Sequence, residues 1–134
     1  MAGGEPMILL DTCALLWLTL DQKGLSERAK NCLRENVGSL LISAISAFEI
    51  GQKVASGKLR LKLKPATWFP KACELHGLEV IPLSAEAALM AAAFPPFHKD
   101  PFDRLLIATA LTQGLTILTP DDKIQQYPKL KTVW

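Results

Sequence analysis

The chain has 134 residues, of which 49% are hydrophobic and 21% are charged, and this is the size of one ordinary globular domain. A formal net charge of +2 excludes a global attraction to nucleic acid, so any phosphate recognition requires a local basic patch. The three cysteines, Cys13, Cys32 and Cys73, are odd in number and widely spaced, which excludes a disulfide framework and a zinc knuckle. We find neither a signal-peptide pattern nor a membrane-spanning run, and we expect a cytoplasmic protein with reduced thiols and no membrane association.

Apolar periodicity divides the chain into alternating strands and helices, and we expect a single domain at 7–134 after a flexible lead at 1–6. In chain order, we predict a strand at 7–10, helices at 12–20 and 26–38, a strand at 40–42, helices at 43–54 and 65–76, a strand at 78–83, helices at 84–93 and 101–113, and strands at 115–119 and 131–134. Pro70 is expected to start, kink or split its helix. This alternation predicts an α/β fold with a central parallel sheet and helices on both faces.

Four acidic residues occupy related positions near the strand ends. They are Asp11 at the end of the first strand, Glu49 within two turns of the second, Asp103 in the helix before the fourth, and Asp121 just after the fourth. Binding crevices of open parallel sheets lie at the carboxyl ends of the strands, so all four side chains can reach one edge. Two carboxylates about 5 Å apart repel by roughly 3 kcal/mol at an effective dielectric near 20. A convergent group therefore requires protons, a basic partner or a metal ion.

The chemistry of these ligands points to a hard divalent cation. Carboxylate oxygens without accompanying His or Cys favour Mg²⁺ or Mn²⁺ over zinc. A carboxylate-bound Mg²⁺ leaves positions for water and phosphate oxygens, which suits in-line attack on a phosphodiester. The acids therefore predict phosphoryl hydrolysis. The histidines, His76 and His98, are isolated in the sequence and need not take part.

Some of these acids also have a purely structural interpretation. Glu49 completes the capping-box spacing that starts at Ser46, and Asp121 with Asp122 fits a polar turn after the fourth strand. Asp11 is harder to explain in this way, because a lone carboxylate between two apolar runs is costly. The shared position of the acids at strand ends, rather than any one of them, indicates chemistry.

Five stretches of the chain carry a family resemblance. They are MILLDTCALLW, ISAISAFEIGQKVASGKLRL, GLEVIPLSAEAALMAA, HKDPFDRLLIATAL and LTILTPDDKI. In order and approximate spacing they resemble the PIN domain, and specifically the VapC-type toxins of bacterial type II toxin–antitoxin systems, over nearly all of 7–134. The resemblance implies a PIN-like three-layer α/β/α fold and a Mg²⁺- or Mn²⁺-dependent endoribonuclease that cleaves RNA by metal-activated water. It also implies a homodimer and an inhibitory cognate antitoxin.

The resemblance assigns roles to individual residues. The four acids of the family, which bind the metal and act in catalysis, correspond to Asp11, Glu49, Asp103 and Asp121. Thr12 matches the hydroxyl residue that follows the first acid, and Thr119 begins the family's Thr-x-Asp element. Both are candidates for positioning substrate or metal-bound water. Because Asp122 is adjacent to Asp121, either acid could face the metal, and we predict that Asp121 does so because it stands at the acid position of the Thr-x-Asp element.

Asp100 and Arg104 flank the third acid and have two interpretations each. Asp100 matches an additional acid of the His-x-Asp-Pro-x-Asp-Arg subgroup, which makes it a candidate metal ligand. It also precedes a proline and has Asp103 at capping-box distance, which predicts a helix N-cap. Arg104 either positions phosphate bidentately or neutralises the acids.

The basic segment at 53–64 is the obvious candidate for RNA contact. Its cations are Lys53, Lys58, Arg60, Lys62 and Lys64, and leucines alternate with the last four of them. The alternation predicts an exposed, half-buried extended segment, which is either an RNA groove or a solvated face.

Three other functions are alternatives to the ribonuclease. A haloacid-dehalogenase phosphatase requires a second Asp where this chain has Cys13, and a receiver domain requires paired acids at the first strand that are absent. The third is a catalytically weak PIN-fold binding module, whose acidic cluster accepts basic side chains of a partner. The sequence leaves this last alternative open.

Overall fold

The computed structural model describes residues 7–95 and 98–134, so the predicted lead at 1–6 lies outside the described part of the chain. The strands in these ranges are β1 (Ile8–Leu10), β2 (Leu40–Ser43), β3 (Leu78–Ile81), β4 (Thr116–Leu118) and β5 (Lys131–Val133). The helices there are α1 (Thr12–Leu20), α2 (Glu27–Glu35), α3 (Ala44–Ala55), α4 (Pro65–His76), α5 (Ala85–Ala92), α6 (Pro101–Gln113) and α7 (Asp122–Gln125). None of these helices is long and apolar enough to cross a membrane.

The strands form one parallel sheet in the order β3-β2-β1-β4-β5, which confirms the predicted fold class. β1 lies at the centre, where Leu9 is level with Leu41 of β2 and Ile117 of β4. The chain builds outward from β1 through β2 and β3 on one side, and through β4 and β5 on the other. The strand order therefore reverses between β1 and β4, and such a reversal opens a crevice at the carboxyl ends of the two strands.

Alternate residues of the central strands face two separate cores. Leu10 and Ile42 pack against helices α1 to α4, whereas Leu9 and Ile117 pack against α6 and α7 on the opposite face. All four side chains are fully buried, as expected for a parallel sheet that is covered on both faces. The predicted three-layer α/β/α arrangement is confirmed.

Helix α6 has the predicted bounds, and local chemistry fixes both of its ends. Asp100 is its N-cap, since Oδ1 accepts the N–H of Phe102 at 2.9 Å and that of Asp103 at 3.3 Å. Pro101 occupies the first turn, and Gly114 ends the helix in the left-handed region at φ 68°. The cap therefore fixes the place of Asp103 in the first turn of the helix.

Two predictions about the other acid-bearing segments are wrong. Helix α3 begins at Ala44 behind an N-cap at Ser43, so Ser46 lies inside the helix and does not form a capping box with Glu49. The polar turn expected after β4 is the short helix α7, with Asp121 as its N-cap. In each case, two residues of the same type, Ser43 and Ser46 or Asp121 and Asp122, are both able to cap, so residue type alone does not select between them.

The basic segment and Pro70 also depart from the predicted elements. Residues 53–55 belong to the last turn of α3, so the prediction of an extended segment is wrong there, and 56–64 form neither a helix nor a strand. Leu59 and Leu61 pack against the core as predicted for a half-buried segment, while Lys58, Arg60 and Lys62 on either side of them are exposed. Pro70 lies inside α4 and neither starts nor splits it.

Substitution of Asp100 separates its capping role from its charge. We expect Asp100→Ala to lower the free energy of unfolding by about 1 kcal/mol, because two N–H groups of α6 lose their acceptor. Asp100→Asn keeps an acceptor oxygen and should retain most of that stability. Urea unfolding followed by circular dichroism measures both variants, and equal losses would contradict the capping role.

Candidate active site

Asp11 lies directly after β1, at the crevice between β1 and β4, and is only 4% exposed. Its Oδ1 accepts the N–H of Ala14 at 2.7 Å, which makes Asp11 the N-cap of α1. Its Oδ2 accepts the hydroxyl of Thr119, just after β4, at 2.5 Å. Both oxygens are therefore oriented by donors that follow the two strands. The capping role was missed in the sequence, although a helix beginning at the next residue was the signal for it.

Thr119 connects Asp11 to Asp121. Its buried hydroxyl oxygen accepts the backbone N–H of Asp121 at 3.0 Å. Asp121 is half-buried and accepts the N–H of Lys123 at 2.8 Å, whereas Asp122 is exposed. Asp121 also raises the pKa of Asp11, so it is the member of the acidic pair that lies beside the first acid.

Glu49 approaches from α3, and both of its oxygens have partners. The hydroxyl of Thr12 donates to Oε1 at 2.7 Å, and the same hydroxyl oxygen lies 2.9 Å from that of Ser46. Oε2 lies 3.4 Å from Nζ of Lys53, one helical turn further on. In this arrangement Thr12 orients Glu49, and Lys53 supplies the nearest positive charge.

Asp103 opens α6 and lies in the field of the other acids. Burial raises the pKa of Asp103 to about 6, and repulsion from Asp100 and Asp121 adds to this effect. Nε2 of His98 lies 3.4 Å from Oδ2 of Asp103, and His98 is only 4% exposed. The interpretation of His98 as an isolated residue is therefore wrong. No spacing rule predicts this contact, because His98 lies outside the helix that carries Asp103.

The protonation of Asp11 shows which acids share one field. Burial raises the pKa of Asp11 to about 7, against the opposing hydrogen bonds from Thr119 and Ala14. Asp103 and Asp121 raise it further through repulsion. The structure thus brings three of the four predicted acids into one electrostatic group, which we call the acidic group: Asp11, Asp103 and Asp121.

The thiol of Cys13 locates the fourth acid relative to this group. Burial raises the pKa of Cys13 to about 11, and the charge of Asp11 is the next largest cause. Lys53 opposes that rise, whereas Glu49 adds to it. Because Thr12, the residue after Asp11, donates to Glu49, this fourth acid borders the acidic group.

The donor chemistry fits a hard divalent cation, although the side chains do not stand as a finished ligand shell. Within 7–95 and 98–134, no three His, Cys, Asp or Glu side chains form a group that could already hold a metal ion. The acids offer only oxygen atoms, which Mg²⁺ and Mn²⁺ prefer. Burial and mutual repulsion disfavour their ionisation, and a bound cation would offset both effects.

Arg104 follows Asp103 in the sequence but serves neither of its two predicted roles. Its guanidinium donates to the carbonyl oxygen of Ala91 at 2.8 and 3.1 Å and to that of Phe94 at 2.9 Å. These carbonyls lie at and just beyond the C-terminal end of α5, where a helix leaves acceptors without partners and favours positive charge. Arg104 therefore joins α5 to α6, and the prediction that it binds phosphate or neutralises the acids is corrected.

The family of the chain follows from a comparison with known domains. Residues 8–130 match the PIN domain family, and this range contains all four acids and the first four strands. The chain therefore belongs to the PIN domain family, which confirms the resemblance found in the sequence.

Individual relatives lie within the same family of folds. Ribonuclease VapC22 of Mycobacterium tuberculosis is 29% identical over 130 residues, which are 95% of this chain and 98% of that protein. The structure of VapBC2 from Rickettsia felis bound to a DNA fragment from their promoter aligns with a TM-score of 0.70 and 19% identity, over 94% of this chain and 96% of that chain. A toxin–antitoxin complex from Klebsiella pneumoniae aligns with a TM-score of 0.61 and 21% identity, over 91% and 92% of the two chains. At these identities the two structures establish a likeness of fold alone.

The buried acid should make the metal-free protein less stable at high pH. The pKa of Asp11 rises from its ordinary 3.8 to about 7 on folding, so its contribution to stability is present below the lower value and is lost as the pH rises through the higher one. Asp11→Asn removes this ionisable group. We therefore expect the free energy of unfolding of the variant, relative to that of the wild type, to rise by on the order of 2 kcal/mol between about pH 5 and about pH 8.5. Urea unfolding in excess chelator measures it.

The exposed Asp122 supplies the matched control for that measurement. Asp122→Asn removes the same charge outside the buried position, and its effect should stay nearly constant over the same pH range. An effect of Asp11→Asn that is equally flat would contradict the elevated pKa of Asp11.

Proposed function

We propose that this protein is a Mg²⁺- or Mn²⁺-dependent endoribonuclease toxin that hydrolyses RNA phosphodiester bonds and is inhibited by a cognate antitoxin. The observation that carries the proposal is the hydrogen-bonded chain from Asp11 through Thr119 to Asp121 at the crevice where the strand order reverses, with Asp103 near enough for its charge to raise the pKa of Asp11. Membership of the PIN domain family and similarity to a VapC ribonuclease support the choice of reaction and substrate.

The acidic group would hold the metal ion, with Glu49 at its border and Asp100 as a further candidate ligand. When bound, the ion supplies the positive charge that lowers the pKa of an attacking water and stabilises charge on the phosphodiester. Asp100 already serves as a helix cap, so its part in metal binding is secondary to that of Asp103.

The remaining polar residues of the site hold the acids in place. Thr119 and the N–H of Ala14 orient Asp11, Thr12 orients Glu49, and His98 contacts Asp103. Carboxylates whose positions are fixed before ligand arrives lose little freedom on binding, which is what electrostatic preorganisation requires. In this proposal Thr12 and Thr119 act through the acids that they orient.

We also propose two protein partners, a cognate antitoxin and a second copy of the chain. One of the solved structures of similar fold is a toxin–antitoxin complex, which supports the antitoxin. On α1, Trp17 is 39% exposed and Leu20 is 50% exposed, around an apolar cavity of about 250 Å³. A contiguous exposed apolar surface often marks a site of contact with another protein.

A catalytically weak binding module is the second candidate function. The ion pair between Glu49 and Lys53 shows that a carboxylate at the border of the acidic group accepts an ammonium group. A basic side chain of a partner would bind in the same way. This alternative predicts binding of a basic peptide that depends on the acids, without metal-dependent cleavage of RNA.

Substitution of single acids tests the ribonuclease proposal. We expect Asp103→Asn and Asp121→Asn each to lower the rate of RNA cleavage on the order of 100-fold or more at saturating Mg²⁺, because each removes a charge that the metal ion requires. Asn keeps the size of Asp and caps a helix equally well, so the fold should remain. Gel analysis of end-labelled RNA measures the rates, and circular dichroism checks the fold.

Asp122→Asn is the control for the neighbouring acid, and it should leave the cleavage rate nearly unchanged because Asp122 is exposed. Full activity in both site variants, or cleavage that survives excess chelator, would overturn the proposal. Absence of cleavage together with acid-dependent binding of a basic peptide would favour the binding module.

A further inference from the structure

A cavity of about 470 Å³ opens beside Glu49 and Asp100, at the border of the acidic group, and the proposed reaction does not use the rest of its lining. It lies between the C-terminal end of α3, the turn that follows, and the start of α6. Glu49 and Asp100 form its wall toward the acids, while Lys53, Lys58 and Phe102 line the rest together with two uncharged polar residues, Gln52 and Ser56. The cavity therefore places positive charge and an aromatic ring directly next to the carboxylates.

The position of the two lysines is set by the backbone that ends α3. The N–H of Lys58 donates to the carbonyl of Lys53 at 2.9 Å, and the N–H of Gly57 donates to that of Val54 at 3.1 Å. These two bonds form a Schellman motif, which requires the positive φ of 77° found at Gly57. The motif turns the chain back, so that Lys58 lines the same cavity as Lys53.

Phe102 lines the cavity, and Phe48 packs against it from α3. The rings of Phe48, on α3, and Phe102, on α6, have their centroids 5.8 Å apart at an angle of 48°. Phe48 is 60% exposed, so most of its side chain remains in solvent. Aromatic rings that stay exposed beside lysines are the combination on which single-stranded nucleic acids bind, since bases stack on the rings and phosphates contact the cations.

We propose that this cavity is the subsite for the RNA strand next to the cleaved bond, with Lys53 and Lys58 binding a backbone phosphate and the Phe48–Phe102 pair stacking a base. The inference rests on the proposed ribonuclease function. A nucleotide supplies both the anion and the flat ring that this surface matches. The uncharged Gln52 and Ser56 add hydrogen-bonding groups without repelling a phosphate.

The position of Lys53 explains how a polyanion approaches a group of acids. Its Nζ lies 3.4 Å from Glu49, so it offsets that carboxylate on the side from which the strand would enter. Lys58 is exposed and has no acid within salt-bridge distance in the described part of the chain, which leaves its charge available to a phosphate. Lys58 is therefore the residue whose removal reports most directly on the subsite.

The salt dependence of RNA binding tests the lysine half of the proposal. Binding of a fluorescent, unstructured 16-nucleotide RNA is followed by anisotropy in the Asp103→Asn background, which prevents cleavage. We expect Lys58→Gln to reduce the slope of log affinity against log salt concentration by about 0.7, the value for one lost phosphate contact on a single strand. Lys71→Gln removes the same charge from an exposed position on α4 and should leave the slope unchanged. Equal slopes in both variants would overturn the subsite.

The aromatic half is tested with Phe48, because its exposure makes it tolerant of substitution. We expect Phe48→Ala to weaken RNA binding about 5- to 150-fold. Phe48→Tyr should instead bind RNA about as tightly as the wild type, because the tyrosine ring also stacks. Unchanged RNA affinity in Phe48→Ala would overturn the stacking role. If that variant instead changes the molar mass measured by light scattering, the surface is an interface between copies of the chain, and the proposal is also wrong.

Cleavage by the wild-type chain, measured beside RNA binding by the variants, distinguishes a failure of this inference from a failure of the proposed function. Metal-dependent cleavage by the wild-type chain, together with unaltered binding in Lys58→Gln and Phe48→Ala, would leave the ribonuclease standing and remove only the subsite. A chain that neither binds nor cleaves the RNA would overturn both.

Discussion

The hydrogen bond between Thr119 and Asp11 is the contact on which the site depends. It joins residues 108 positions apart, which follow β4 and β1, and both side chains are buried. The helices after these strands, α7 and α1, pack on opposite faces of the sheet, so the bond crosses the gap that the strand order creates. Because Asp11 caps α1 and Thr119 accepts the N–H of Asp121, which caps α7, this bond couples the starts of two helices to the geometry of the acids.

Helix N-termini help to explain how the fold tolerates the three acids of the acidic group. Asp11 caps α1, Asp103 lies in the first turn of α6, and Asp121 caps α7, so each carboxylate lies where a helix presents free N–H groups and partial positive charge. Glu49 lies in the middle of α3 and has no such environment, and it pairs with Lys53 instead. Even so, burial keeps the pKa of Asp11 near 7, so local donors only partly offset the loss of water around it.

Some features set by interactions between sequence neighbours were predicted correctly, whereas contacts between side chains of different elements were missed. The bounds of α6 were predictable because Asp100, Pro101 and Gly114 act on their own neighbours. The parallel sheet followed from the alternation of strands and helices, which also placed Asp11 and Asp121 at one edge of the sheet, whereas the order of the strands was not predicted. Neither the contacts of Arg104 with the carbonyls of Ala91 and Phe94 nor that of His98 with Asp103 was predictable, because the direction of these side chains depends on tertiary packing, such as that of α5 against α6.

The distribution of charge, rather than its sum, decides whether RNA can approach this surface. A net charge of +2 results from 15 cations and 13 acids, and it conceals the acidic group and the basic segment after α3. At physiological salt the screening length is about 8 Å, so a cation helps a phosphate past the carboxylates only if it lies beside them. Lys53 meets this condition at 3.4 Å from Glu49, and the Schellman turn at Gly57 brings Lys58 to the same cavity. The residue that lets the chain reverse after α3 therefore also determines where positive charge meets the acids.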